Sequence, residues 1–370
     1  MKTAIVHDWI YSVSGAEKVL ESIYELFPSK VHTLIHNESK SNQLEIPTQD
    51  ILTSFVQKLP LAKTKYPYYL PLFPSAIESF DLSYADVIIS SSSCVAKGVL
   101  TSADQLHICY CHTPMRYIWD LYFQYLQEHQ LSKGFRSLFT KTLFRKLRIW
   151  DLSHRVDHFI ANSQHVAKRI QKLYGKEAKV IYPPVDWDYF QEGNYKNEGF
   201  YLTVSRLVPY KKVREIIDAF SHMKDKRLIV VGDGPELKKL QKMATSNIEI
   251  LGHLNKESIR DLMHKAKAFL YMAHEDFGIA PVEAQAAGLP VIAYGKGGVL
   301  ETVLENTTGL FFHEQTVESL IRKIHEFEPI EHRFDRAKIK THAKQFSKET
   351  FMHFFRMHIE KLCREFHSKK

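Results

Sequence analysis

The sequence predicts an α/β protein of two domains, each a parallel β-sheet with helices on its faces. Three observations predict this fold class. Short apolar runs alternate with longer amphipathic segments along most of the chain, the pattern of repeated βαβ units. The alternation stops at residues 182–194, where two prolines, a glycine and an asparagine intervene, and then resumes. The length, 370 residues, suits about two domains of roughly 100–200 residues each.

The first half supplies the elements of the N-terminal domain. Strands are expected where a short, β-branched or aliphatic run is bounded by polar or turn residues, and helices where apolar residues recur every three to four positions. The predicted strands are 3–7, 31–35, 86–90, 106–111, 158–161 and 179–182. The predicted helices are 15–26, 117–126, 135–152 and 164–174.

The second half repeats the alternation more regularly. Its predicted strands are 200–204, 228–231, 248–251, 268–272, 290–293 and 309–311. Its predicted helices are 213–222, 235–243, 256–264, 279–287 and 317–327, followed by a long helical pattern from 348 to about 366. Ligands of such sheets bind beyond the carboxyl ends of the strands, so the loops that follow strands are where functional residues are expected.

Composition narrows the function classes without choosing one. The chain is 44% hydrophobic and 25% charged, which is ordinary for a folded globular protein. The net charge of +8 lies in residues 51–180, which hold 17 basic and 9 acidic side chains. This excess favours an acidic partner: nucleic acid, an anionic membrane or a phosphorylated small molecule. Four cysteines without metal-ligand spacing favour a reducing cytoplasm, and no apolar run approaches the ~20 residues that span a bilayer.

Two loops of the first half carry candidate residues. Gly15 ends the loop after the first strand and precedes a helix, where backbone N–H groups can bind an anion, although taken alone an ordinary turn glycine is the favoured explanation. His112 opens the loop 112–120, which also holds Arg, Tyr, Trp and Asp. Its imidazole can hydrogen-bond a polar substrate or cap the following helix, and the aromatic residues can stack on a sugar or pack in the core.

Two loops of the second half carry cationic and glycine-rich motifs. Arg206 and Lys211 follow the strand at 200–204 and suit a diphosphate, whereas a solvated basic loop is the alternative. The motif 232–234, Gly-Asp-Gly, resembles half of a dinucleotide fingerprint, but the third glycine is missing, so we interpret it as a tight turn.

The most specific motif spans residues 275–283. Glu275 stands in a loop after a strand, Gly278 lets the chain turn into a helix, and Glu283 lies in the first turns of that helix. The backbone N–H groups of Phe277, Gly278 and Ile279 are expected to face an anion, helped by the helix dipole. The Glu283 carboxylate suits a ribose diol.

These motifs resemble glycosyltransferases of family 4, which have the GT-B fold, over roughly residues 2–345. Glu275 and Glu283 match the family's E-x7-E motif, and the strings at 7–9, 111–120 and 182–186 are similar to bacterial mannosyltransferases of O-antigen or other surface polysaccharide. The resemblance assigns catalysis to His112, Glu275, Arg206 and Lys211. It assigns donor binding to Gly15, Asp276, Phe277, Gly278, Ile279 and Glu283.

The resemblance also implies the architecture. Two Rossmann-like domains, 1–184 and 185–347, face each other across a cleft, and a C-terminal helix (348–370) crosses back to the N-terminal domain. A closing motion is expected to join the donor and acceptor half-sites.

The implied activity is transfer of a sugar, with retention of anomeric configuration, from a nucleotide sugar to a glycan or lipid-linked glycan. The resemblance points to GDP-mannose as donor and to lipopolysaccharide or surface-polysaccharide synthesis, with a UDP-sugar as the alternative. No metal ion or other cofactor is implied, so the Asp-Trp-Asp triplet at 186–188 is interpreted as structural.

Two positions depart from the family pattern. Ser14 stands where many relatives have a glycine, so the first loop is expected to be less permissive near the donor phosphate. Lys212 stands where a glycine often follows the phosphate-binding lysine, which leaves open whether Lys211 or Lys212 reaches the donor.

The basic excess has a separate interpretation. Residues 133–150 hold six Lys/Arg and no acid, and apolar residues fall near one helical face. These apolar residues are Phe135, Leu138, Phe139, Leu143, Leu147 and Trp150. The pattern suits an anionic membrane surface and hence a peripheral location on the cytoplasmic side, whereas packing of the stripe on the domain core is the alternative.

Other classes of protein stay open. A nucleic-acid-binding protein accounts for the positive charge, but the sequence lacks the motifs of RNA- or DNA-binding modules, so no nucleic-acid partner is predicted. A non-catalytic nucleotide-sugar-binding module, or an epimerase or phosphorylase of the same fold, shares most of the motifs.

Overall fold

The computed structural model of this chain describes residues 2–128 and 134–368. Contacts divide the chain into two compact units. Unit 1 consists of Met1–Pro184 and Phe351–Lys370, and unit 2 of Val185–Thr350. The chain passes from the first to the second within the proline-containing interruption of the sequence pattern.

Unit 1 is built on a parallel sheet that has, within its described residues, seven strands in the order β3-β2-β1-β4-β5-β6-β7. The strands are β1 (Thr3–His7), β2 (Val31–Thr33), β3 (Ile51–Thr53), β4 (Val87–Ser92), β5 (Leu106–Cys111), β6 (His158–Ala161) and β7 (Ala178–Val180). The sheet is covered on both faces because successive residues of one strand enter different core layers: Ala4 and Val6 pack in one, Ile5 in the other.

Helices and short helical turns connect these strands. They are α1 (Gly15–Leu26), α2 (Ala62–Lys65), α3 (Phe73–Glu78), α4 (Tyr122–Glu128), α5 (Phe135–Leu152) and α6 (Gln164–Tyr174). Helix α6 shows how local sequence sets the bounds: the Ser163 hydroxyl accepts from the Val166 N–H at its start, and Gly175 ends it with a φ of 64°.

Unit 2, all of whose residues are described, contains a six-stranded parallel sheet in the order β10-β9-β8-β11-β12-β13. The strands are β8 (Phe200–Val204), β9 (Arg227–Val231), β10 (Ile248–Gly252), β11 (Ala268–Tyr271), β12 (Val291–Tyr294) and β13 (Gly309–Phe312). The helices are α7 (Trp187–Gln191), α8 (Val213–His222), α9 (Leu237–Met243), α10 (Lys256–Lys265), α11 (Ile279–Ala286), α12 (Val299–Thr302), α13 (Val317–Phe327) and α14 (Arg336–Ala343).

The last helix, α15 (Lys348–His367), belongs mainly to unit 1. It buries an apolar stripe in the same core layer as Ile5 of β1. The buried residues of the stripe are Phe351, Phe355, Ile359, Leu362 and Cys363. Their spacing of three to four residues is that of one helical face, so the C-terminal helix completes the core of unit 1.

The predicted α/β class with two Rossmann-like units is therefore confirmed. Both sheets reverse their strand order beside the first strand, between β1 and β4 and between β8 and β11. This is the position at which doubly wound sheets bind ligands. Among the residues that the structure describes, no helix is both long enough and apolar enough to cross a membrane.

Some predicted elements differ from the structure. The helix predicted at 117–126 begins only at Tyr122, because the Trp119 indole donates to the Asp151 carboxylate (2.8 Å) and Arg148 donates to the Ile118 carbonyl (3.0 Å), which hold the preceding loop open. Strand β3 and helices α2, α3, α7, α12 and α14 were not predicted. Each is eight residues or shorter, too short for periodicity to identify.

Candidate functional site

In unit 2 the predicted residues Lys211 and Glu275 meet at the switch point of the sheet. Lys211 lies in a 3₁₀ turn after β8 and Glu275 in the loop after β11, and the Lys211 ammonium is 2.5 Å from Glu275 Oε2. Both side chains are largely buried, with 16% and 19% of their surface exposed. Parallel neighbouring strands deliver these two loops to one edge of the sheet, which explains why residues 64 positions apart form an ion pair.

Tyr271 is a site residue that sequence reasoning missed. It is the last residue of β11, is buried, and donates its phenol O–H to the same Glu275 oxygen that Lys211 contacts. The carboxylate is therefore held in one orientation by an ammonium and a phenol. The only sequence signal was a polar aromatic residue at the end of an apolar strand.

Glycines hold the Glu275 loop in place. The Gly298 N–H donates to the Glu275 carbonyl (2.9 Å), and a Cβ at Gly297 would lie 2.3 Å from that carbonyl oxygen. Gly297 also has a φ of 82°, which side-chain-bearing residues rarely adopt. The glycine-rich segment 295–298 after β12 thus packs against the loop that carries Glu275 and supports it. Its signal, three glycines in four residues, was present in the sequence but not interpreted.

The Gly-Asp-Gly motif supports the loop that carries Arg206. The Leu207 N–H donates to the Asp233 carbonyl (2.9 Å), and a Cβ at Gly232 would lie 1.8 Å from the Ser205 carbonyl oxygen. This close approach agrees with the interpretation of the motif as a tight turn. Arg206 itself is exposed on the supported loop.

Gly278 begins helix α11 as predicted. Its φ is 87°, so the chain turns there in a conformation that favours glycine, and Phe277 before it is buried against Phe346 with ring centroids 5.7 Å apart. The anchored Phe277 ring and the Gly278 turn fix the direction in which the N-terminus of α11 points. Such a terminus is an anion-binding position.

The structure distinguishes the two lysines of this loop. Lys211 contacts Glu275, whereas the Lys212 ammonium lies 2.9 Å from Glu215 on helix α8. Lys212 has a φ of 60°, which explains why a glycine suits this position.

Glu283 lies one turn further along α11, in a different environment from Glu275. Burial raises the pKa of its carboxyl to about 7, with Lys256 opposing and Asp186 reinforcing the shift. Asp186 forms an ion pair with Lys256 in unit 2, and the Trp187 indole beside it donates to the Lys340 carbonyl (2.9 Å). The Asp-Trp-Asp triplet therefore takes part in packing contacts of unit 2.

In unit 1, His112 follows β5 at the carboxyl edge of the sheet. Its Nε2 lies 2.8 Å from the Ser91 hydroxyl of β4, and its ring contacts Tyr110 edge-on at 5.1 Å between centroids. The backbone N–H of His112 donates to the Ser92 carbonyl (2.9 Å), and the Asn162 side-chain amide donates to the backbone carbonyl of His112 (2.9 Å). Backbone and ring are thus both held from the strands.

Gly15 is the first residue of helix α1 in unit 1. Ser14 precedes it as the helix N-cap, and both its N–H (3.0 Å) and its hydroxyl (2.5 Å) donate to Glu17 Oε2. This capping contact gives Ser14 a local role at the start of α1. Glu17 Oε1 lies 3.9 Å from Nε2 of His7, the last residue of β1.

The neighbouring Asp8 organises the end of β4. Its two carboxylate oxygens accept hydrogen bonds from the four consecutive N–H groups of residues 93–96, at 2.5–2.8 Å. A carboxylate with four backbone donors is strongly satisfied although it is buried. Asp8 therefore holds the loop after β4, while the preceding His7 contacts Ser91 and Glu17.

The structure thus groups the predicted residues into two clusters. One, in unit 2, contains the Lys211–Glu275 ion pair and Arg206, which lies earlier on the same loop as Lys211. Residues 276–279 lead from Glu275 into α11. The other, in unit 1, links His112 through Ser91 and His7 to the helix that begins at Gly15. Sequence reasoning did not identify Ser91, although a run of serines at the end of a buried strand was visible.

Comparison with known families covers most of the chain. The family described as "Glycosyltransferase Family 4" matches residues 13–189, and the family described as "Glycosyl transferases group 1" matches residues 186–346.

Relatives in sequence agree with these families. An uncharacterized glycosyltransferase of Methanocaldococcus jannaschii is 30% identical over 199 residues, 52% of this chain and 55% of that protein. A GDP-mannose-dependent alpha-(1-6)-phosphatidylinositol monomannoside mannosyltransferase of Mycobacterium tuberculosis is 28% identical over 196 residues, 44% of this chain and 50% of that protein. The chain thus spans about half the length of these curated relatives.

The fold agrees as well. The crystal structure of Anabaena HepE in complex with UDP and glucose superposes with a TM-score of 0.71 at 19% identity, over 97% of this chain and 100% of that one. Two consecutive family matches, two doubly wound units and the Glu275/Glu283 motif lead to one conclusion: the chain belongs to family 4 of the glycosyltransferases and has their GT-B fold.

Proposed function

We propose that this protein transfers a sugar from a nucleotide sugar to a hydroxyl of a glycan or lipid-linked glycan, with retention of anomeric configuration. The observation that carries the proposal is the Lys211–Glu275 pair beside the glycine-started helix α11. A cation and a helix N-terminus suit a diphosphate, and an oriented carboxylate suits sugar hydroxyls.

The difficult step is departure of the nucleoside diphosphate. The bond between the anomeric carbon and the β-phosphate oxygen breaks, and negative charge grows on the phosphate. Arg206, Lys211 and the N–H groups at the start of α11 stabilise that charge. One preorganised donor of this kind contributes about 3 kcal/mol, or roughly 10²–10³ in rate.

The acceptor oxygen bonds to the anomeric carbon on the face that the phosphate leaves, and its proton passes to the leaving phosphate. Glu275 orients the sugar hydroxyls in this scheme, while Glu283 binds the ribose diol and His112 contacts the sugar or the acceptor. No metal ion takes part in the proposed scheme, so transfer is expected to continue in excess EDTA.

The proposed donor is GDP-mannose. The mycobacterial relative is described as GDP-mannose-dependent, and the motifs at 7–9 and 111–120 resemble mannosyltransferases of surface polysaccharide. A UDP-sugar is the second candidate, because the similar Anabaena structure holds UDP and glucose. The proposed pathway is synthesis of lipopolysaccharide or another surface polysaccharide.

A thermal-shift screen of GDP-, UDP- and ADP-sugars separates the donors. At one hundred times its dissociation constant a nucleotide stabilises the folded protein by about 2.7 kcal/mol, which is easily measured. We expect GDP-mannose to give the largest shift, and a larger shift with a UDP-sugar would replace it as the donor.

Variants of Glu275 test catalysis itself. Glu275→Ala should lose most transfer while the protein stays folded, whereas Glu318→Ala, an exposed glutamate of the same unit, should keep it. Binding of a nucleotide sugar without turnover in the wild-type protein would favour the non-catalytic alternative. Tight, sequence-independent retention of DNA in a filter assay at moderate salt would favour a nucleic-acid-binding protein.

The proposal includes a peripheral location on the cytoplasmic face of a membrane, through helix α5. The apolar stripe predicted for this helix divides in the structure. Leu147 is buried in the core, and Leu143 and Trp150 pack against it, whereas Leu138 and Phe139 are 65% and 62% exposed. Lys133 and the side chain of Phe135 lie outside the described residues.

A second face of α5 carries the proposed membrane contact. Ile149 (63% exposed) and Leu152 (49% exposed) continue the line of Leu138 at helical spacing. The exposed basic residues on and beside this line are Lys141, Arg145 and Lys146. Apolar side chains flanked by cations complement the acyl boundary and headgroups of an anionic bilayer. A lipid-linked acceptor supplies the reason for such a contact.

Vesicle flotation tests this surface. The protein should float with phosphatidylglycerol-containing vesicles at low salt and stay behind with pure phosphatidylcholine. Arg145→Glu/Lys146→Glu should abolish flotation, whereas Lys238→Glu/Lys239→Glu, two exposed lysines of unit 2 with the same charge change, should not. Equal loss in both double variants would indicate a general charge effect and contradict the assignment to α5.

A further inference from the structure

The connection between β3 and β4 of unit 1 exposes a group of apolar side chains. Residues 55–72, named here the 55–72 segment, form 3₁₀ turns and helix α2 shortly after β3. Tyr68 is 79% exposed and Leu61 is 65% exposed, and Phe55 and Leu72 are exposed as well. Apolar side chains that cluster in this way on a surface indicate a site where another molecule binds.

The segment is anchored to the core, so the exposure does not come from a loosely packed chain. Val56 and Ala62 within the segment, and Phe73 directly after it, are buried in the hydrophobic core of unit 1. The Tyr69 hydroxyl donates to the Pro60 carbonyl (2.6 Å), and three prolines restrict the backbone further. The exposed side chains are therefore held outward by an ordered support.

Leu61 combines its exposure with an unfavourable backbone conformation. Its φ is 57°, in the left-handed region that residues with a side chain rarely adopt. A glycine would relieve this strain, and an exposed leucine gains little from burial in exchange. Neither feature stabilises the free protein, whereas a contact of the leucine side chain with another molecule accounts for both.

The charge of the segment indicates the chemistry of that partner. Residues 51–77 contain no aspartate or glutamate, whereas Lys58, Lys63 and Lys65 are exposed among the apolar side chains. Apolar side chains suit the acyl boundary of a bilayer, and ammonium groups suit anionic headgroups beside it. The ring and hydroxyl of Tyr68 suit the same interface, which is apolar on one side and wet on the other.

The segment also lies at the carboxyl edge of the sheet of unit 1. It follows the carboxyl end of β3, and the Tyr66 ring packs against Trp9 and Tyr11 after β1, with centroids 5.2 and 5.6 Å away. His112 follows β5 at the same edge, because β1 to β5 pair in parallel. A membrane that contacts the 55–72 segment therefore lies at the edge of the sheet that carries His112.

We propose that the 55–72 segment binds an anionic membrane, with Leu61 and Tyr68 at the acyl boundary and the three lysines among the headgroups. This surface adds to the contact proposed for α5, which packs in the same core layer of unit 1. It brings a lipid-linked acceptor to the edge of the sheet that carries His112, an inference that rests on the proposed function, whereas the membrane contact itself does not.

A fluorescent label at residue 61 tests the contact without any sugar donor. The four native cysteines are buried, so Leu61→Cys adds an exposed thiol that an environment-sensitive fluorophore can label. With phosphatidylglycerol-containing vesicles its emission should increase and shift to shorter wavelength, and lipids with nitroxide-labelled acyl chains should quench it. Phe354→Cys is the matched control, because Phe354 is also exposed but lies on α15, which packs in the other core layer. A label there should not respond.

Leu61→Gly separates membrane binding from folding. Glycine relieves the positive φ, so the variant should unfold at a temperature no lower than that of the wild-type protein. Loss of the leucine side chain should weaken binding to the same vesicles about tenfold, which corresponds to burial of one leucine. A lower unfolding temperature with unchanged vesicle binding would show that Leu61 serves packing and would contradict the proposal.

The lysines of the segment give a second readout. Lys63→Gln/Lys65→Gln should weaken vesicle binding about tenfold to thirtyfold, the range expected for two lysines near an anionic surface. Lys238→Gln/Lys239→Gln, the same change at two exposed lysines of unit 2, should leave it unchanged. Equal losses in the two double variants would count against the 55–72 segment as the contact.

Three outcomes separate this surface from its alternatives. An unresponsive label at residue 61 while the protein floats with the vesicles would overturn the inference and leave α5 as the contact. A response that grows with protein concentration in the absence of vesicles would indicate self-association and would also overturn it. The expected response in a protein that transfers no sugar from any donor would contradict the proposed function and leave the membrane surface intact.

Discussion

The two clusters at the switch points of the sheets are built in opposite ways. In unit 1 the cluster stands on strands or directly after one: His7 and Ser91 lie on β1 and β4, and His112 follows β5. Short contacts connect the three residues, and His7 and Ser91 are almost completely buried. In unit 2 the cluster stands on loops, and its central contact is an ion pair, Lys211–Glu275, that keeps some exposure to solvent. The difference teaches that a doubly wound sheet can support either a buried hydrogen-bonded cluster or a partly exposed ion pair beside its switch point.

The physical basis of the two constructions also differs. The strand residues His7 and Ser91 of unit 1 are positioned by the register of the sheet, and a hydrogen-bond contact between them is enough to orient their side chains. Loop residues of unit 2 are positioned by close backbone contacts that glycine alone permits, such as those at Gly297 and Gly232.

The largest effect is expected from removing the ammonium group of Lys211, which pairs with Glu275. Lys211→Ala should lower kcat about 10²–10³-fold, because in the proposed reaction the developing phosphate charge loses a preorganised partner. Lys212→Ala, one residue further on but paired with Glu215, should change kcat less than threefold. Steady-state kinetics of both purified variants measure this. Similar losses in the two variants would contradict the distinction that the structure makes between the lysines.

The next effect concerns the glycine support of the loop. Gly297→Ala should lower the free energy of unfolding by about 3 kcal/mol, because a Cβ would strike the Glu275 carbonyl 2.3 Å away in addition to straining a positive φ. Gly199→Ala has a similar φ of 75° with nothing near its Cβ, so it should cost only about 1 kcal/mol. Denaturant titration measures both variants, and equal losses would mean that the close approach is unimportant.

The smallest effect concerns the pH dependence of nucleotide binding. Burial raises the pKa of Glu283 to about 7, and the proposed contact with two ribose hydroxyls needs the ionised carboxylate. Affinity for the donor nucleotide should therefore fall as pH falls below 7, by at most about tenfold per pH unit, and level off above pH 8. Calorimetric titrations between pH 6 and 8 should show this slope in the wild-type protein and not in Glu283→Gln.

The same raised pKa has a consequence for stability. Between the ordinary value of 4.5 and about 7, the folded protein holds the Glu283 proton more tightly than the unfolded chain does. Stability contributed by this group therefore falls as pH rises through that window and is constant above it. Glu283→Gln should be less sensitive to pH there, and an unchanged pH profile in thermal unfolding would contradict the raised pKa of this carboxyl.

Sequence reasoning recovered the long elements well. Helices α1, α5, α6, α8 and α13 have the predicted bounds, because amphipathic spacing and capping residues are local properties of the sequence. The loop 112–121 was partly mistaken for a helix, since the contacts of Trp119 and Arg148 that hold it open come from residues distant in sequence.

The sequence indicated the residues of the candidate site in the same uneven way. Glu275, Gly278 and Lys211 stood out because the motif and the strand-end position can be read along the chain. Tyr271 and Ser91 did not, because their importance depends on which side chain lies opposite them across a strand or loop.

The sequence by itself thus determined the two α/β units, which follow from local periodicity, and the family, which follows from the resemblance of its motifs, such as residues 275–283. Tertiary structure alone decided that Lys211 rather than Lys212 meets Glu275, that Leu138 and Ile149 of α5 stay exposed while Leu147 is buried, and that Ser91 joins His7 to His112. Each of these depends on contacts between segments far apart in the chain, and no local pattern encodes which partner a side chain will meet.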